Sequence, residues 1–159
     1  MTNPSAPLRN GETARDSGQF RYRTGAKALV TSASKVLLVR ERHADGQPFW
    51  TLPGGGVHPH EAPEDGLTRE LREELHCQSH VGSPCAQFCY VHESLESTVS
   101  LYTVFDCALL SDPIPDTGEG IDDFGWFGPA SLPATTLPQV THICHQVADL
   151  PEQRAVADD

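Results

Sequence analysis

The amino-acid sequence predicts an α/β domain in which helices pack against a β-sheet. Two observations predict this class: apolar runs typical of strands lie on both sides of a segment with helical periodicity, and a second helical pattern lies near the end of the chain. The chain has 159 residues, which is enough for one domain with a real core and too few for two comfortable ones. We therefore expect one domain over residues 19–150, between polar tails at 1–18 and 151–159 that we expect to be flexible.

Two apolar runs at the start of the domain predict a β-hairpin. The segments AKALV (26–30) and KVLLV (35–39) flank the small polar stretch TSAS. A loop is expected next at HADGQP (43–48), because its Asp-Gly dipeptide is typical of turns. The residues FWTL then predict a short extended piece, which the glycines of PGGG (53–56) end.

A helix is predicted soon after these glycines. Pro63 suits a first helical turn, and the acidic residues around it favourably oppose the positive end of the helix dipole. Leu67, Leu71 and Leu75 recur every four residues. They therefore form an apolar stripe that has to pack on another part of the domain.

The second half of the chain predicts further strands and a terminal helix. Strands are expected at CAQFCYV (85–91), VSLYTVFDCALL (99–110) and FGWFG (124–128), with the polar loop HESLEST (92–98) and the longer loop SDPIPDTGEGID (111–122) between them. A loop as long as the second is usually functional or mobile. The apolar positions Leu137, Val140, Ile143 and Val147 have helical spacing and predict the terminal helix.

The charge balance argues against one class of function. The chain has 22 acidic residues against 11 basic ones, and its formal net charge is −11. Sequence-independent DNA or RNA binding depends on neutralising phosphates with Lys and Arg, so we expect no nucleic-acid polymer as a partner. A small phosphorylated substrate is compatible with this charge, because a bound metal ion reverses the local sign. No run approaches 18 apolar residues, so we expect no membrane partner.

The cysteines indicate a reducing environment. There are five at irregular spacing, and no secretory signal pattern is visible, so we expect a cytoplasmic protein with most cysteines in its core. Cys85 and Cys89 lie near His80 and His92, which leaves structural zinc as an alternative, although the spacing fits no common zinc pattern. The sequence is compatible with either a monomer or a homodimer.

The predicted acidic helix indicates a metal site. At 100° per residue, Glu70, Glu73 and Glu74 fall in one narrow sector beside the leucine stripe, with Arg69 and Arg72 on the far side. Carboxylates so close together repel one another, whereas Mg²⁺ or Mn²⁺ would convert the repulsion into coordination. The alternative is a solvated face, which is what a run of helical glutamates usually forms.

The glycines before the helix suit the same interpretation. Glycine has no Cβ, so the backbone of Gly55 and Gly56 can approach an ion or a substrate closely. Gly66 lies one turn before Glu70 on the same side of the helix, where we expect it to leave room for a substrate.

The combined spacing of loop and helix resembles the signature of the Nudix hydrolase superfamily, the Nudix box. The matching residues are Gly55, Glu61, Arg69, Glu70, Leu71, Glu73 and Glu74, preceded by the family's usual lead-in at Trp50 to Gly54. The resemblance covers roughly residues 24 to 148. It implies an α/β/α sandwich around a mixed β-sheet, and hydrolysis of nucleoside diphosphates linked to another group.

The box departs from the family pattern at four positions. His76 stands in place of the last glycine, and Cys77 replaces the final aliphatic residue. His58 and His60 occupy positions that are commonly glutamate and glycine. Because glycine normally ends the helix there, we expect strained or altered backbone geometry at His76. The loop histidines are interpreted as solvated, with phosphate contacts or a softer metal as the alternative.

The resemblance also implies the metal ligands. Glu70, Glu73 and Glu74, with the backbone carbonyl of Gly54, would hold one to three Mg²⁺ ions, for which Mn²⁺ can substitute. Some family members place the catalytic base or a further ligand in a separate loop. Glu93, Glu96 and Glu119 are the candidates here, and Glu119 is the most suggestive.

Catalytic and substrate-binding roles follow from the same resemblance. Glu70 is the expected general base for a metal-activated water that attacks phosphorus. Arg69 is expected to orient the glutamates and Glu61 to brace the loop. Phe49 and Trp126 are aromatic candidates for stacking a nucleobase, although core packing would explain them equally well.

The sequence leaves the substrate open. The first choice is a nucleoside triphosphate or a nucleotide sugar, and the second is an ADP-ribose-type compound. A Nudix-fold module that binds a nucleotide without hydrolysing it is the alternative from another functional class. A DNA-bound regulator is disfavoured, because no basic recognition segment accompanies the domain.

Overall fold

The structure, a computed structural model, describes residues 14–16, 20–92 and 97–148. In this part of the chain a mixed β-sheet lies between two α-helices, which confirms the α/β/α sandwich. The helices are α1 at Pro63–Leu75 and α2 at Pro138–Ala148. The strands are β1 at Ala14–Asp16, β2 at Phe20–Ser32, β3 at Lys35–Arg42, β4 at Pro48–Thr51, β5 at Gly54–Gly56, β6 at Ser79–His92, β7 at Thr98–Leu109 and β8 at Asp123–Phe127.

The sheet is organised around a long parallel pair. Strand β2 runs parallel to β7, from Arg21 opposite Thr98 to Val30 opposite Cys107. The order along the sheet is β4-β3-β2-β7-β6, while β1 and β5 also pair with β2, and β8 pairs with β3. All of these other pairings are antiparallel. Strand β2 therefore contacts the glycine strand β5 as well as β3 and β7.

Each helix covers one face of the sheet. The side chains of Leu67, Leu71 and Leu75 are fully buried, as the leucine stripe predicted, and they pack against one face. Val140 and Ile143 of α2 pack against the opposite face. Burying each such side chain contributes about 1.5–3 kcal/mol, so the two stripes hold both layers on the sheet. No helix among the described residues is long and apolar enough to cross a membrane.

The predicted hairpin is confirmed. Strands β2 and β3 pair through Thr31 with Val36 and Ser32 with Lys35. The two residues between them, Ala33 and Ser34, have φ angles of 50° and 63°. Two consecutive positive φ values match the twist of a tight hairpin, although Asn-Gly or Asp-Gly is the usual sequence for it.

The structure differs from the predicted elements at two segments. The glycines of PGGG do not simply end a strand, because they form β5 and pair with β2, Gly56 opposite Gly25 and Gly54 opposite Lys27. Strand β1 at Ala14–Asp16 lies within the segment predicted to be a flexible tail, and it pairs with β2. The other residues of the two predicted tails lie outside the described part, so those predictions stand as made.

Helix α1 ends at the position where the family pattern has glycine. His76 has φ 52° and ψ 33°, which is the left-handed conformation, and its N–H donates to the carbonyl of Arg72. The expected strained geometry at this histidine is therefore present. The long loop that begins at Ser111 packs beside this end of the helix and contains a 3₁₀ turn at Thr117–Glu119.

Candidate active site

A buried carboxylate joins the glycine strand to α1. The side chain of Glu74 is nearly fully buried, and its Oε2 accepts a hydrogen bond from the Gly54 N–H at 3.0 Å. Gly54 has φ 131°, and a Cβ at this position would collide with the carbonyl oxygen of Ala26. A Cβ on Gly55 would lie 2.8 Å from Cδ of Glu70. The predicted close approach of glycine backbone and acidic helix is therefore observed.

Arg69 binds three of the glutamates. Its guanidinium donates to both carboxylate oxygens of Glu61 at 3.0 and 3.1 Å, to Oε1 of Glu70 at 3.0 Å and to Oε2 of Glu73 at 3.2 Å. It also donates to the carbonyl of Gly56 at 3.0 Å. The prediction that Arg69 lies on the far side of the helix from the glutamates is wrong, because Arg69 and Glu73 are four residues apart and are therefore neighbours on the helix surface. These contacts agree with the expected orienting role.

Glu61 is held in the loop before α1. Besides the two hydrogen bonds from Arg69, its Oε1 accepts one from the His58 N–H at 2.9 Å. These hydrogen bonds, that of Arg69 first, lower the pKa of Glu61 to about 2. The Glu61 carboxylate also fills the space beside Gly66, where a Cβ would lie 2.9 Å from Oε1. Gly66 therefore makes room for Glu61, and the expectation that it leaves room for a substrate is wrong.

Glu70 and Glu74 lie closer to the sheet, and their pKa values are raised instead of lowered. Burial raises the pKa of Glu74 to about 8, and the hydrogen bond from Gly54 and the nearby Lys27 only partly oppose it. Burial also raises the pKa of Glu70, which Arg69 opposes. A buried carboxylate that Lys27 and the Gly54 N–H stabilise only in part is costly. The carboxylate oxygens of Glu70 and Glu74 are ligands of the kind that a hard divalent cation such as Mg²⁺ prefers.

The structure does not bring all the predicted ligands together. Among the described residues, no three His, Cys, Asp or Glu side chains already form a metal-binding cluster. Glu70 and Glu73 are held by Arg69 instead, while Glu74 points to Gly54.

Glu119 is only indirectly connected to the acidic helix. It is an exposed residue of the 3₁₀ turn, and its loop joins α1 through the Asp116 N–H, which donates to the Glu74 carbonyl at 2.8 Å. In the described part of the chain, Arg69 pairs with Glu61, Glu70 and Glu73 but not with Glu119. The remaining two candidates of this kind, Glu93 and Glu96, lie outside the described residues.

A buried lysine is part of the site, and the sequence analysis did not identify it. The Nζ of Lys27 donates to the Gly54 carbonyl at 3.0 Å and lies 3.9 Å from Oε2 of Glu41. Burial lowers the pKa of Lys27, but the surrounding groups, Glu41 first, outweigh it and raise the pKa, so the ammonium stays charged. In the sequence, the signal was a charged residue inside the apolar run AKALV.

Two adjoining cavities lie along β2. The smaller, about 390 Å³, is lined by Glu70, Gly56 and Arg21, among others. The larger, about 660 Å³, is lined by Lys27 and by a set of aromatic residues. Arg23 and Thr98 line both cavities, so the two are neighbours. Together they are large enough for a ligand with one polar and one aromatic part.

Arg23 is a second basic residue that the sequence analysis missed. Its guanidinium lies against Gly56, at the place that a Cβ of this glycine would occupy. Arg23 and Lys27 share one face of β2 because side chains alternate along a strand. In a chain with few basic residues, three on one strand face beside a glycine loop, namely Arg21, Arg23 and Lys27, are a signal that could have been recognised.

Only one of the two predicted base-stacking residues lines either of these two cavities. Phe49 lines the larger cavity and stacks on His43, with 4.1 Å between ring centroids, while Tyr90 lies beside both. Trp126 packs instead against the core on the α1 face of the sheet. Its placement follows from register, because Trp126 pairs with Leu37, whose side chain belongs to the same core.

Comparison with known proteins identifies relatives over most of the chain. The family model of the NUDIX domain matches residues 21–144. A protein named nucleoside triphosphatase NudI from Escherichia fergusonii is 33% identical over 123 residues, which cover 71% of this chain and 86% of the relative. A protein named RNA pyrophosphohydrolase from Pseudomonas savastanoi is 40% identical over 65 residues, which cover 41% of this chain and 38% of the relative.

Solved structures of similar proteins support the fold. A MutT NUDIX hydrolase from Burkholderia pseudomallei superimposes with a TM-score of 0.67 and 24% identity, over 79% of this chain and 98% of the other. The E. coli ORF135 protein gives a TM-score of 0.68 with 20% identity, over 84% of this chain and 93% of the other. At this level of identity the similarity establishes the sandwich architecture.

Proposed function

The chain belongs to the NUDIX domain family, and from this premise we propose that it is a Mg²⁺-dependent pyrophosphohydrolase acting on a nucleoside triphosphate. The observation that carries the proposal is the arrangement of Glu70, Arg69 and the glycine strand at the edge of a cavity that continues into an aromatic one. A nucleotide sugar is the second substrate class that fits the same two cavities.

The metal would be held by the oxygen donors around the glycine strand. The carboxylates of Glu70, Glu73 and Glu74 and the carbonyl of Gly54 are the proposed ligands, and Mn²⁺ would substitute for Mg²⁺. When bound, the ion lowers the pKa of a coordinated water and stabilises negative charge on the phosphates. Arg69 keeps Glu70 and Glu73 oriented before the ion arrives.

Glu70 is proposed as the general base. Its carboxylate lines the smaller cavity, where an attacking water would lie next to the substrate phosphates. Burial raises the pKa of Glu70 in the metal-free protein and a bound ion would lower it, so the assignment rests on the position of the carboxylate in the cavity. Arg23 also lines this cavity, and its fixed positive charge would stabilise the phosphate oxygens.

The two cavities indicate how a nucleotide would be oriented. The phosphates would lie near Glu70 and Arg23, and the base would stack near Phe49 in the larger cavity. A nucleoside triphosphate is favoured over other classes because a relative of 33% identity, matched over most of its length, carries the name nucleoside triphosphatase. ADP-ribose is the alternative substrate within the same reaction class.

A nucleotide panel tests the proposal. Wild type and Glu74→Gln would be incubated with nucleoside triphosphates, nucleotide sugars and ADP-ribose, with Mg²⁺ or with EDTA, and the products separated by anion-exchange chromatography. We expect Mg²⁺-dependent release of a nucleoside monophosphate with either pyrophosphate or phosphate from one triphosphate, and near-complete loss in the variant.

The alternative functions predict different results in the same assay. Turnover of ADP-ribose alone would assign ADP-ribose, the alternative substrate, in place of a nucleoside triphosphate. No turnover of any compound, while nucleotides still raise the melting temperature, would show that the domain binds nucleotides without hydrolysing them. Unchanged turnover in Glu74→Gln would remove Glu74 from the metal site.

A further inference from the structure

Glu41 is a charged residue of the larger cavity to which the proposed reaction gives no role. Its side chain is 27% exposed, and its Oε2 lies 3.9 Å from the Nζ of Lys27. Among the residues that the structure describes, the Glu41 carboxylate accepts no hydrogen bond. The two oxygens of a carboxylate can accept about four hydrogen bonds, so this side chain keeps its capacity for a ligand that donates.

Glu41 lies between the two ends of the proposed nucleotide site. On one side is Lys27, whose Nζ donates to the Gly54 carbonyl next to the proposed metal site. On the other side is Phe49, which lies directly opposite Glu41 in the pairing of β3 with β4. The Cβ atoms of directly opposite residues are about 4.5–5.5 Å apart, so Glu41 also adjoins the ring near which the base is proposed to stack.

The part of a nucleotide that joins its phosphates to its base is the ribose. The 2′- and 3′-hydroxyls of a ribose are neighbouring donors that can bond to one carboxylate, and a carboxylate binds the ribose in this way in dinucleotide-binding folds. The ammonium of Lys27 offsets the negative charge of Glu41 in a site that also has to accept phosphates. A carboxylate at this position therefore suits the sugar of a nucleotide.

A second polar group in the wall of the same cavity also lacks a partner. Thr51 is 1% exposed, and its Oγ1 is buried with no hydrogen-bond partner among the described residues. Thr51 pairs with Val39, two positions before Glu41 on β3, which makes Thr51 and Glu41 diagonal neighbours. Buried hydroxyls are nearly always hydrogen-bonded, so an unpaired one beside Glu41 indicates that a polar group binds here.

We propose that Glu41 binds the ribose of the substrate through its 2′- and 3′-hydroxyls, so that the protein prefers ribonucleotides to 2′-deoxyribonucleotides. The inference rests on the proposed function and deepens it, because it names the sugar of the substrate. Glu41 is then a specificity-determining residue that takes no part in the attack on phosphorus.

The test measures kcat/KM with Mg²⁺ for ATP, GTP, CTP and UTP, each paired with its 2′-deoxy counterpart. For wild type we expect a preference of about tenfold or more for the ribonucleotide of each pair that is hydrolysed. Glu41→Gln should reduce the preference to about twofold, because an amide has one acceptor oxygen and no charge. Asp45→Asn is the matched control, since Asp45 lines the same cavity, and this variant should keep the wild-type preference.

The ratio within each pair separates a contact with the sugar from a structural role. If Glu41 only held Lys27 in place, Glu41→Gln would lower kcat/KM equally for both sugars, and the unchanged ratio would overturn the inference. A ratio near one in wild type would overturn it without any variant. Should Glu41→Gln fail to fold, Glu41→Asp keeps the charge beside Lys27 but withdraws the carboxylate by one methylene, and it should also lower the preference.

Failure of the proposed function gives a different result. Hydrolysis of ribo- and deoxyribonucleotides with equal kcat/KM would support the function and reject the role of Glu41. If no triphosphate were hydrolysed, the rise in melting temperature would be compared within each pair. A larger rise with the ribonucleotide would reject the function and support the role of Glu41, whereas equal rises, or none, would reject both.

Discussion

Two glutamates of the same sequence motif are held in opposite ways at the two ends of the acidic helix. Glu61, before the helix, accepts two hydrogen bonds from Arg69 and one from the loop backbone, and its pKa is lowered to about 2. Glu74, in the last turn, is buried with one backbone hydrogen bond, and its pKa is raised to about 8. The first carboxylate is neutralised within the protein, whereas the second stays in an unfavourable buried position that the proposed metal ion would offset. The motif would then combine a structural brace with the proposed metal site.

Replacing each glutamate by glutamine gives the largest expected difference. Glu74→Gln should lower kcat by about 100-fold or more while its melting temperature stays the same or rises, because a neutral amide is easier to bury than a carboxylate. Glu61→Gln should lose about 1–3 kcal/mol of stability, because Arg69 loses a charged partner, and should keep more of its turnover. Steady-state kinetics and urea denaturation measure both. Equal effects of the two variants on kcat would contradict the division of roles.

The metal-free protein should show opposite pH dependences from the two residues. Between about pH 4.5 and 8, folded Glu74 keeps a proton that the unfolded chain releases, so stability should fall as pH rises, by up to a few kcal/mol. Below about pH 4.5, Glu61 binds a proton in the unfolded chain but stays ionised in the folded protein. The stability that Glu61 contributes is therefore lost as pH falls toward 2. Urea denaturation in EDTA would measure both slopes. Glu74→Gln should remove most of the first slope and leave the part that comes from Glu70, whose pKa burial also raises. An unaltered slope would show that Glu74 is not its main source.

Arg69 should link the two ends of the helix. Arg69→Lys keeps the charge but loses the fork that engages Glu61, Glu70 and Glu73 together. We expect a stability loss of about 2 kcal/mol and a 10- to 100-fold lower turnover. The exposed Arg72 on the same helix provides the control, since Arg72→Lys should change neither value. A similar loss in both variants would mean that any arginine on this helix suffices.

The aromatic wall should affect substrate binding more than chemistry. Phe49→Leu removes the ring that stacks on His43 in the larger cavity, and we expect KM to rise roughly tenfold with kcat nearly unchanged. Trp126→Phe is the matched control, because Trp126 packs in the α1-side core away from that cavity. If KM rose in Trp126→Phe but not in Phe49→Leu, the nucleobase would have to bind outside the larger cavity.

The smallest effect is expected at the end of α1. His76→Gly removes a left-handed non-glycine residue, which is favourable, but also the 3.0 Å contact of its ring with Asp116. The exposed contact contributes little, so we expect a net gain of about 0.5 kcal/mol in thermal denaturation. His76→Ala should be destabilised, since alanine loses the contact and keeps the unfavourable conformation. A gain in both variants would show that conformation is not the cause.

Local sequence was sufficient for the helix, the hairpin and the motif. The leucines of α1 are spaced by the helical repeat, so their burial follows from the sequence alone. The order of apolar runs and turns predicted most strands, including the strand that begins near Phe124. The close approach of Gly54 and Gly55 to the acidic helix followed from the family resemblance and the absence of a Cβ.

The basic residues of the site and the position of Trp126 required long-range information. Lys27 reaches Gly54 because β2 pairs with β5, and Arg23 lies on Gly56 through the same pairing. Trp126 packs against the core, the second of its two interpretations, since the face that a strand residue occupies depends on its partner, here Leu37 on β3. A single strand pattern cannot distinguish the two faces of a sheet that is covered on both sides.

The parallel pairing of β2 with β7 has a kinetic consequence. Thr24 lies opposite Leu101, with β3, α1 and β6 all between them in the chain. Closing so long a loop costs entropy before any contact compensates for it, so we expect this pairing to limit the refolding rate. The β2–β3 hairpin and α1 need only local contacts and should form earlier. A refolding intermediate would therefore contain the acidic helix before the cavities exist, and catalytic competence should return only in the slowest phase.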